Sequence, residues 1–171
     1  MNKSLYHFFT NDHHRIDQLL DKATENPGDV EADYYHQFRT GLLKHIKMEE
    51  KILFPAAQKA NENVPLPLAA KLRLDHAALT SLMVVPPSEE VIKVLRYILD
   101  KHDLLEEEPG GMYDVCERLT EGETNTLLQQ LEKVAEVPVH PFNEAEYALD
   151  VAKRTLVRAG FDFDEIVNEA L

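Results

Sequence analysis

Apolar residues recur three and four positions apart along most of this 171-residue chain, and this spacing places them on one face of an α-helix. The pattern predicts helical segments over residues 4–25, 31–60, 65–84, 88–108, 112–136, 143–159 and 162–170. Turn-forming residues such as Asn26-Pro27-Gly28 and Pro86-Pro87-Ser88 separate the segments. No segment alternates with a period of two, so we expect no strands and an all-α fold.

Short connections join the first four segments, and short connections favour antiparallel neighbours. We therefore expect an up-and-down antiparallel four-helix bundle over residues 1–115. Residues 116–171 are predicted to form additional C-terminal helices that pack on the bundle or lie at a dimer interface. Pro55 falls inside the second segment and is expected to kink it.

Polar residues interrupt the apolar faces of these helices in two copies of one pattern. The copies are Asp12-His13 with His45-x-x-x-Glu49-Glu50, and Asp75-His76 with His102-x-x-x-Glu106-Glu107. Residues four apart lie on the same face of a helix, one turn above each other. Each His-x-x-x-Glu pair can therefore present an imidazole and a carboxylate to one point in space.

Helical geometry, at about 100° per residue, tests which of these residues face inward. Glu49 falls at the centre of the second apolar face, and His76 lies in the apolar row of the third. Six residues are predicted to point into the bundle: His13, His45, Glu49, His76, His102 and Glu106. By the same geometry His7 and His14 point to solvent, Glu50 lies at a margin and Glu107 points away.

A carboxylate on an apolar face is costly unless it is paired or bound to a metal. Hydrogen-bonded structural histidines are the alternative for any single position, but four His and two Glu on four apolar faces favour a metal site. Imidazole and carboxylate ligands suit iron, and also manganese or zinc. If Glu49 and Glu106 each bridge two metals, every metal receives two nitrogen and two oxygen ligands. An oxide bridge and an exchangeable position for O2, NO or peroxide would complete such a centre.

Neighbouring residues have two interpretations each. Asp12 and Asp75 precede ligand candidates, so they either accept a hydrogen bond from another ligand's free ring N–H or are ordinary surface carboxylates. Tyr6, Tyr35 and Tyr97 are candidates for electron transfer, although core packing explains them better.

The composition narrows the partners and the compartment. Eighteen basic and thirty-one acidic residues give a formal net charge of -13, which argues against nucleic acid and against an anionic membrane surface. No apolar run approaches a membrane span, and the first residues lack the apolar run of a signal peptide. The single cysteine, Cys116, cannot form an intramolecular disulfide. We expect a cytoplasmic protein.

Taken together, the motifs resemble those of the hemerythrin-like family, the HHE cation-binding domains. The resemblance covers about residues 5–115 and rests on Asn11-Asp12-His13-His14-Arg15-Ile16, on the stretch from His45 to Pro55, on Leu74-Asp75-His76 and on His102-x-x-x-Glu106-Glu107. It implies two iron ions, joined by an oxide bridge, in a four-helix bundle.

The ligand pattern departs from that of the oxygen-carrying hemerythrins. Those proteins have a second histidine four residues after the one that corresponds to His76, whereas this chain has Thr80. The four-His, two-Glu set is more similar to that of di-iron proteins proposed to repair iron–sulfur clusters. The resemblance therefore implies a protein that handles O2, NO or peroxide through sensing, detoxification or iron donation, and leaves open whether it is an enzyme. The alternatives are a metal-responsive module and a metal-free helical interaction protein.

Overall fold

The computed structural model describes residues 3–169, and the regular structure in this range is entirely helical. The α-helices are α1 (Ser4–Ala23), α2 (Ala32–Met48), α3 (Phe54–Ala60), α4 (Ala69–Val84), α5 (Glu89–Glu107), α6 (Met112–Leu119), α7 (Thr124–Glu132), α8 (Tyr147–Ala159) and α9 (Phe163–Asn168). The prediction of an all-α chain is confirmed. The outermost positions of the predicted ranges, residues 1, 2, 170 and 171, lie outside the described part.

Helices α1, α2, α4 and α5 form the predicted up-and-down four-helix bundle. Contacts run from α1 to α2, from α2 to α4, from α4 to α5 and from α5 back to α1, so the four helices enclose one interior. Side chains cap the starts of two of them. The Glu31 carboxylate accepts from the amides of Asp33 and Tyr34 before α2, and the Ser88 hydroxyl accepts from the Val91 amide before α5.

The second predicted segment is not one continuous α-helix. Between α2 and α3 the chain forms a π-helical turn, Glu49–Leu53, and Pro55 stands in the first turn of α3. Proline has no N–H to donate to the carbonyl four residues earlier, so an α-helix cannot run regularly through this point. The expected kink takes the form of this wider turn, which begins at a predicted ligand.

Two apolar clusters fill the bundle interior, one on each side of a polar layer. The larger, here called the upper core, includes Ile16, Leu20, Leu42, Leu79, Leu95 and Leu99, with residues of α8 and α9. The smaller, here called the lower core, includes Phe9, Met48, Leu72, Met112, Tyr113 and Cys116. Along α1, α2 and α4 the change from one cluster to the other occurs at His13, His45 and His76.

The C-terminal helices pack on the bundle. Helix α8 lies against α4, α9 lies against α5, and α6 contacts α1, α3 and α5. Cys116 of α6 is buried in the lower core. The division at residue 115 and a role for the extension in a dimer stay predictions. In residues 3–169, no helix is both long and apolar enough to cross a membrane.

Candidate metal centre

The six residues predicted to face inward meet in the polar layer between the two cores. All six are buried, and both glutamates are 0 % exposed: His13, His45, Glu49, His76, His102 and Glu106. The other histidines of the chain, His7, His14, His36 and His140, are exposed. The periodicity argument therefore separated inward from outward histidines correctly.

The histidines form two pairs that face each other through their Nε2 atoms. His13 and His45 are 2.9 Å apart at these atoms, and His76 and His102 are 3.2 Å apart. Each pair, together with Glu49 and Glu106, forms a group in which one ligand atom from every residue lies within 4.8 Å of the others.

Each glutamate spans the two pairs with its two oxygens. Glu49 Oε1 is 3.1 Å from His45 Nε2, and Glu49 Oε2 is 3.0 Å from His76 Nε2. Glu106 Oε2 is 3.4 Å from His13 Nε2, and Glu106 Oε1 is 3.4 Å from His102 Nε2. Both carboxylates therefore have the arrangement that a bridge between two cations requires.

A carboxylate contacts the outer ring nitrogen, Nδ1, of every histidine in the centre. The four contacts are Glu107 with His13 at 2.6 Å, Asp12 with His45 at 2.9 Å, Glu50 with His76 at 2.8 Å and Asp75 with His102 at 3.4 Å. An ionised carboxylate only accepts hydrogen bonds, so each Nδ1 carries the proton. In a neutral ring the Nε2 lone pair then points into the centre.

Of the two interpretations of Asp12 and Asp75, these contacts favour the first, in which each accepts a hydrogen bond from the ring N–H of an inward-facing histidine on another helix. Glu107 points away from the apolar face of its own helix, as expected. The rotation of about 100° per residue turns it toward α1, where it meets His13. Glu50, in the π-helical turn after α2, likewise turns toward His76 of α4.

The four contacts form a closed ring around the bundle, here called the carboxylate ring. Helix α1 supports the histidine of α2, the π-helical turn after α2 supports that of α4, α4 supports that of α5, and α5 supports that of α1. Each supporting carboxylate is the sequence neighbour of an inward-facing residue. One residue of each adjacent pair therefore faces the centre while the other faces the next helix.

Electrostatics in this layer favour charged forms despite burial. Burial lowers the pKa of His76, but the adjacent carboxylates of Glu49 and Glu50 outweigh this and raise the pKa to about 10. For His13, burial lowers the pKa, yet Glu106 and Glu107 bring it well above its usual value. Burial also raises the pKa of Glu49, but His45 and His76 hold it well below the ordinary value.

Donor chemistry tests whether these residues fit metal ions. Without a proton or a cation between them, the Nε2 lone pairs of each histidine pair would repel at these separations. Two buried carboxylate oxygens, Glu49 Oε2 and Glu106 Oε1, make no hydrogen bond, although His76 Nε2 and His102 Nε2 lie nearby. A cation on each side of the two carboxylates would satisfy all of these atoms, so the residues fit a pair of metal ions.

Sequence reasoning missed two residues of this layer. One is Asp103, whose Oδ1 lies 3.7 Å from His13 Nε2. The other is Tyr113. Its side chain is buried, and its hydroxyl donates to Glu49 at 2.5 Å and lies 3.0 Å from Glu106. The turn before α6 brings it there. At Gly111 the chain passes so close to the end of α5 that an added Cβ would stand only 2.7 Å from the Leu105 carbonyl oxygen, so glycine is needed at this position. The Pro109-Gly110-Gly111 turn was the available signal, since it folds α6 back onto the end of α5.

Comparison with protein families gives an independent result. Residues 4–158 match the hemerythrin HHE cation binding domain. The chain belongs to the hemerythrin HHE family. No curated protein and no solved structure gives a match. The family match runs through α8 and thus extends beyond the stretch that carried the sequence resemblance.

Proposed function

We propose that this hemerythrin-like chain is a non-haem di-iron protein that handles O2, NO or peroxide in the cytoplasm. In this proposal His13 and His45 hold one iron, His76 and His102 hold the other, and Glu49 and Glu106 bridge the two. The carrying observation is that each glutamate turns one oxygen toward each histidine pair. Manganese or zinc would fit the same donor types, and iron is preferred for its redox chemistry.

Bound iron would supply one-electron redox chemistry and an exchangeable position for a small molecule. The protein holds the imidazoles in one tautomer through the carboxylate ring and surrounds the centre with apolar side chains. A small cavity, close to the size of one water molecule, borders His13, His45 and His102. Its other lining residues are four aliphatic ones and two aspartates: Ile16, Leu42, Ile46, Leu99, Asp17 and Asp103. Its size and lining support a diatomic molecule or peroxide over a bulky substrate.

The test is the number of iron ions bound per chain after anaerobic loading with ferrous ion and removal of excess. We expect about two for the wild-type protein, and fewer than one for His102→Ala. His14→Ala is the matched control, because His14 is exposed and should leave the number unchanged. Absence of iron, manganese and zinc from the loaded wild-type protein would refute the proposal.

The reactions of reduced, iron-loaded protein with O2, NO and peroxide distinguish among these three molecules. Each of the three molecules is added separately with excess ascorbate as electron donor, and consumption beyond one equivalent per di-iron centre, above that of a protein-free control, identifies a reaction that turns over. A single oxidation without turnover would instead favour sensing or iron donation.

A metal-responsive module is the second candidate, and the Tyr113 contact favours it. Through that hydroxyl, α6 contacts the buried glutamates directly, and α6 leads into the C-terminal helices. If the metal state controls the extension, limited proteolysis after residue 112 should differ between loaded and metal-free protein. Identical cleavage patterns would argue against this role.

A further inference from the structure

The Tyr113 hydroxyl contacts both ligands of one histidine pair and both glutamates. Its oxygen lies 3.0 Å from His13 Nε2 and 3.2 Å from His45 Nε2, in addition to 2.5 Å from Glu49 Oε1 and 3.0 Å from Glu106 Oε2. A phenol has a single hydrogen to donate. When the four neighbours present lone pairs, that hydrogen can satisfy only one of them.

These distances match the spacing of atoms that share a metal ion. Ligand atoms about 2.0–2.2 Å from a metal and at right angles to one another stand about 3 Å apart. The four neighbours already form a chain at this spacing, with 3.4 Å from Glu106 to His13, 2.9 Å from His13 to His45 and 3.1 Å from His45 to Glu49. The tyrosine oxygen lies 2.5–3.2 Å from all four atoms. This is the arrangement of a square pyramid with the four atoms at its base and the tyrosine oxygen at its apex.

We propose that Tyr113 is a fifth protein ligand to the metal held by His13 and His45. The inference rests on the proposed di-iron function and extends it. Coordination exchanges the hydroxyl O–H bond for an oxygen–metal bond, and the proton leaves to solvent. The positive charge of a bound metal favours the deprotonated form of a coordinating group.

The other half of the centre lacks an equivalent donor. Within residues 3–169, no hydroxyl stands at hydrogen-bonding distance from His76 or His102; their ring nitrogens contact only histidine and carboxylate groups. The two metals would therefore have different numbers of protein ligands, and the centre would be asymmetric.

A spectroscopic experiment separates ligation from simple hydrogen bonding. The protein is loaded with ferrous ion, oxidised with ferricyanide, and examined by visible absorption and by resonance Raman with excitation in the visible band. Phenolate bound to ferric iron gives a charge-transfer band whose excitation enhances tyrosine ring vibrations. We expect these vibrations in wild-type protein and their loss in Tyr113→Phe, with intensities compared per bound iron.

Tyr6→Phe is the matched control. Tyr6 packs edge-on against Tyr113, but its hydroxyl donates to the Glu107 backbone carbonyl, so the ring vibrations should persist in this variant. Persistence of the vibrations in Tyr113→Phe would overturn the proposal.

The wild-type spectrum decides by itself if Tyr113→Phe fails to fold. Two bound irons without enhanced ring vibrations would overturn tyrosine ligation and leave the di-iron function intact. Failure to bind iron would instead overturn the proposed function, so the two failures are distinguishable.

Discussion

The upper core and the metal centre are buried to the same extent, but burial acts on them in opposite directions. For Leu20 and Leu95, removal from water is itself favourable, by about 1.5–3 kcal/mol for each side chain. For Glu49 and Glu106, removal from water is costly and must be offset by partners. The comparison indicates that the upper core stabilises the fold whether or not metal is bound, whereas the polar layer depends on the partners of its charged groups. Substitutions in the two layers should therefore have different effects.

Among changes to the two layers, removal of metal from the polar layer is expected to have the largest effect on the free energy of unfolding. Ions that bind only the folded state stabilise it, by about 4 kcal/mol when free metal exceeds the dissociation constant a thousandfold. We expect chelation to lower the free energy of unfolding of loaded protein, measured by urea denaturation, by about this amount. The helical content at zero urea should stay the same. Unchanged unfolding midpoints would contradict a specific site in the folded protein.

A substitution in the upper core should act on stability alone. Leu20 is fully buried two turns from His13, and Leu20→Ala is expected to lower the free energy of unfolding by about 2–5 kcal/mol. Iron stoichiometry should stay at about two per chain, measured on the folded protein. Loss of iron without loss of stability would show that the two layers are not separable.

A change in the carboxylate ring should act on metal affinity more than on folding. Asp12→Asn keeps the size of the side chain but removes the charge that His45 contacts, and should weaken metal binding about 10–100-fold. Asp21→Asn is the matched control, since Asp21 lies on the same helix and pairs with Arg96 at the surface. Equal affinities in competition with a chromogenic chelator would exclude a supporting role for Asp12.

The pH dependence of stability should differ between loaded and metal-free protein. The pKa of His76 is raised to about 10 in the folded, metal-free chain, so its protonated ring stabilises the fold below pH about 6.5, the usual histidine pKa. This contribution is lost as the pH rises from about 6.5 to 10, at up to about 1.4 kcal/mol per pH unit. A metal bound at Nε2 would keep the His76 ring neutral, with its proton on Nδ1, so unfolding curves of loaded protein should lack this decline.

The inward residues could be predicted because the spacing of apolar residues within a single helix identifies its buried face. Glu49 lies among apolar positions of a single helix, and periodicity is enough to find it. Glu107 and Tyr113 required knowledge of neighbours. Glu107 leaves the apolar face of α5 but meets α1, and Tyr113 is 64 positions from Glu49 and 100 from His13. Contacts at such separations arise from packing and leave no periodic signal.

The π-helical turn is a second feature that local patterns did not reveal. Pro55 indicated an irregularity, but proline is compatible with a kink, a break or a widened turn. The observed turn begins at Glu49 itself, where the side chains of two adjacent glutamates face different partners. Besides its chain neighbours α2 and α3, the turn contacts α7, and a contact with so distant a helix is not visible in the local pattern.

The carboxylate ring has a consequence for recombination. Each of the four helical segments supplies a carboxylate to a histidine of one neighbour, and its own histidine contacts a carboxylate of the other neighbour. The four contacts therefore form a closed ring. Exchange of one helix for its counterpart from a relative with a different ring would break two links at once. A cut in a connecting loop would leave all four in place. Exchange of all four helices together would keep every carboxylate–histidine contact, whereas exchange of one helix would not.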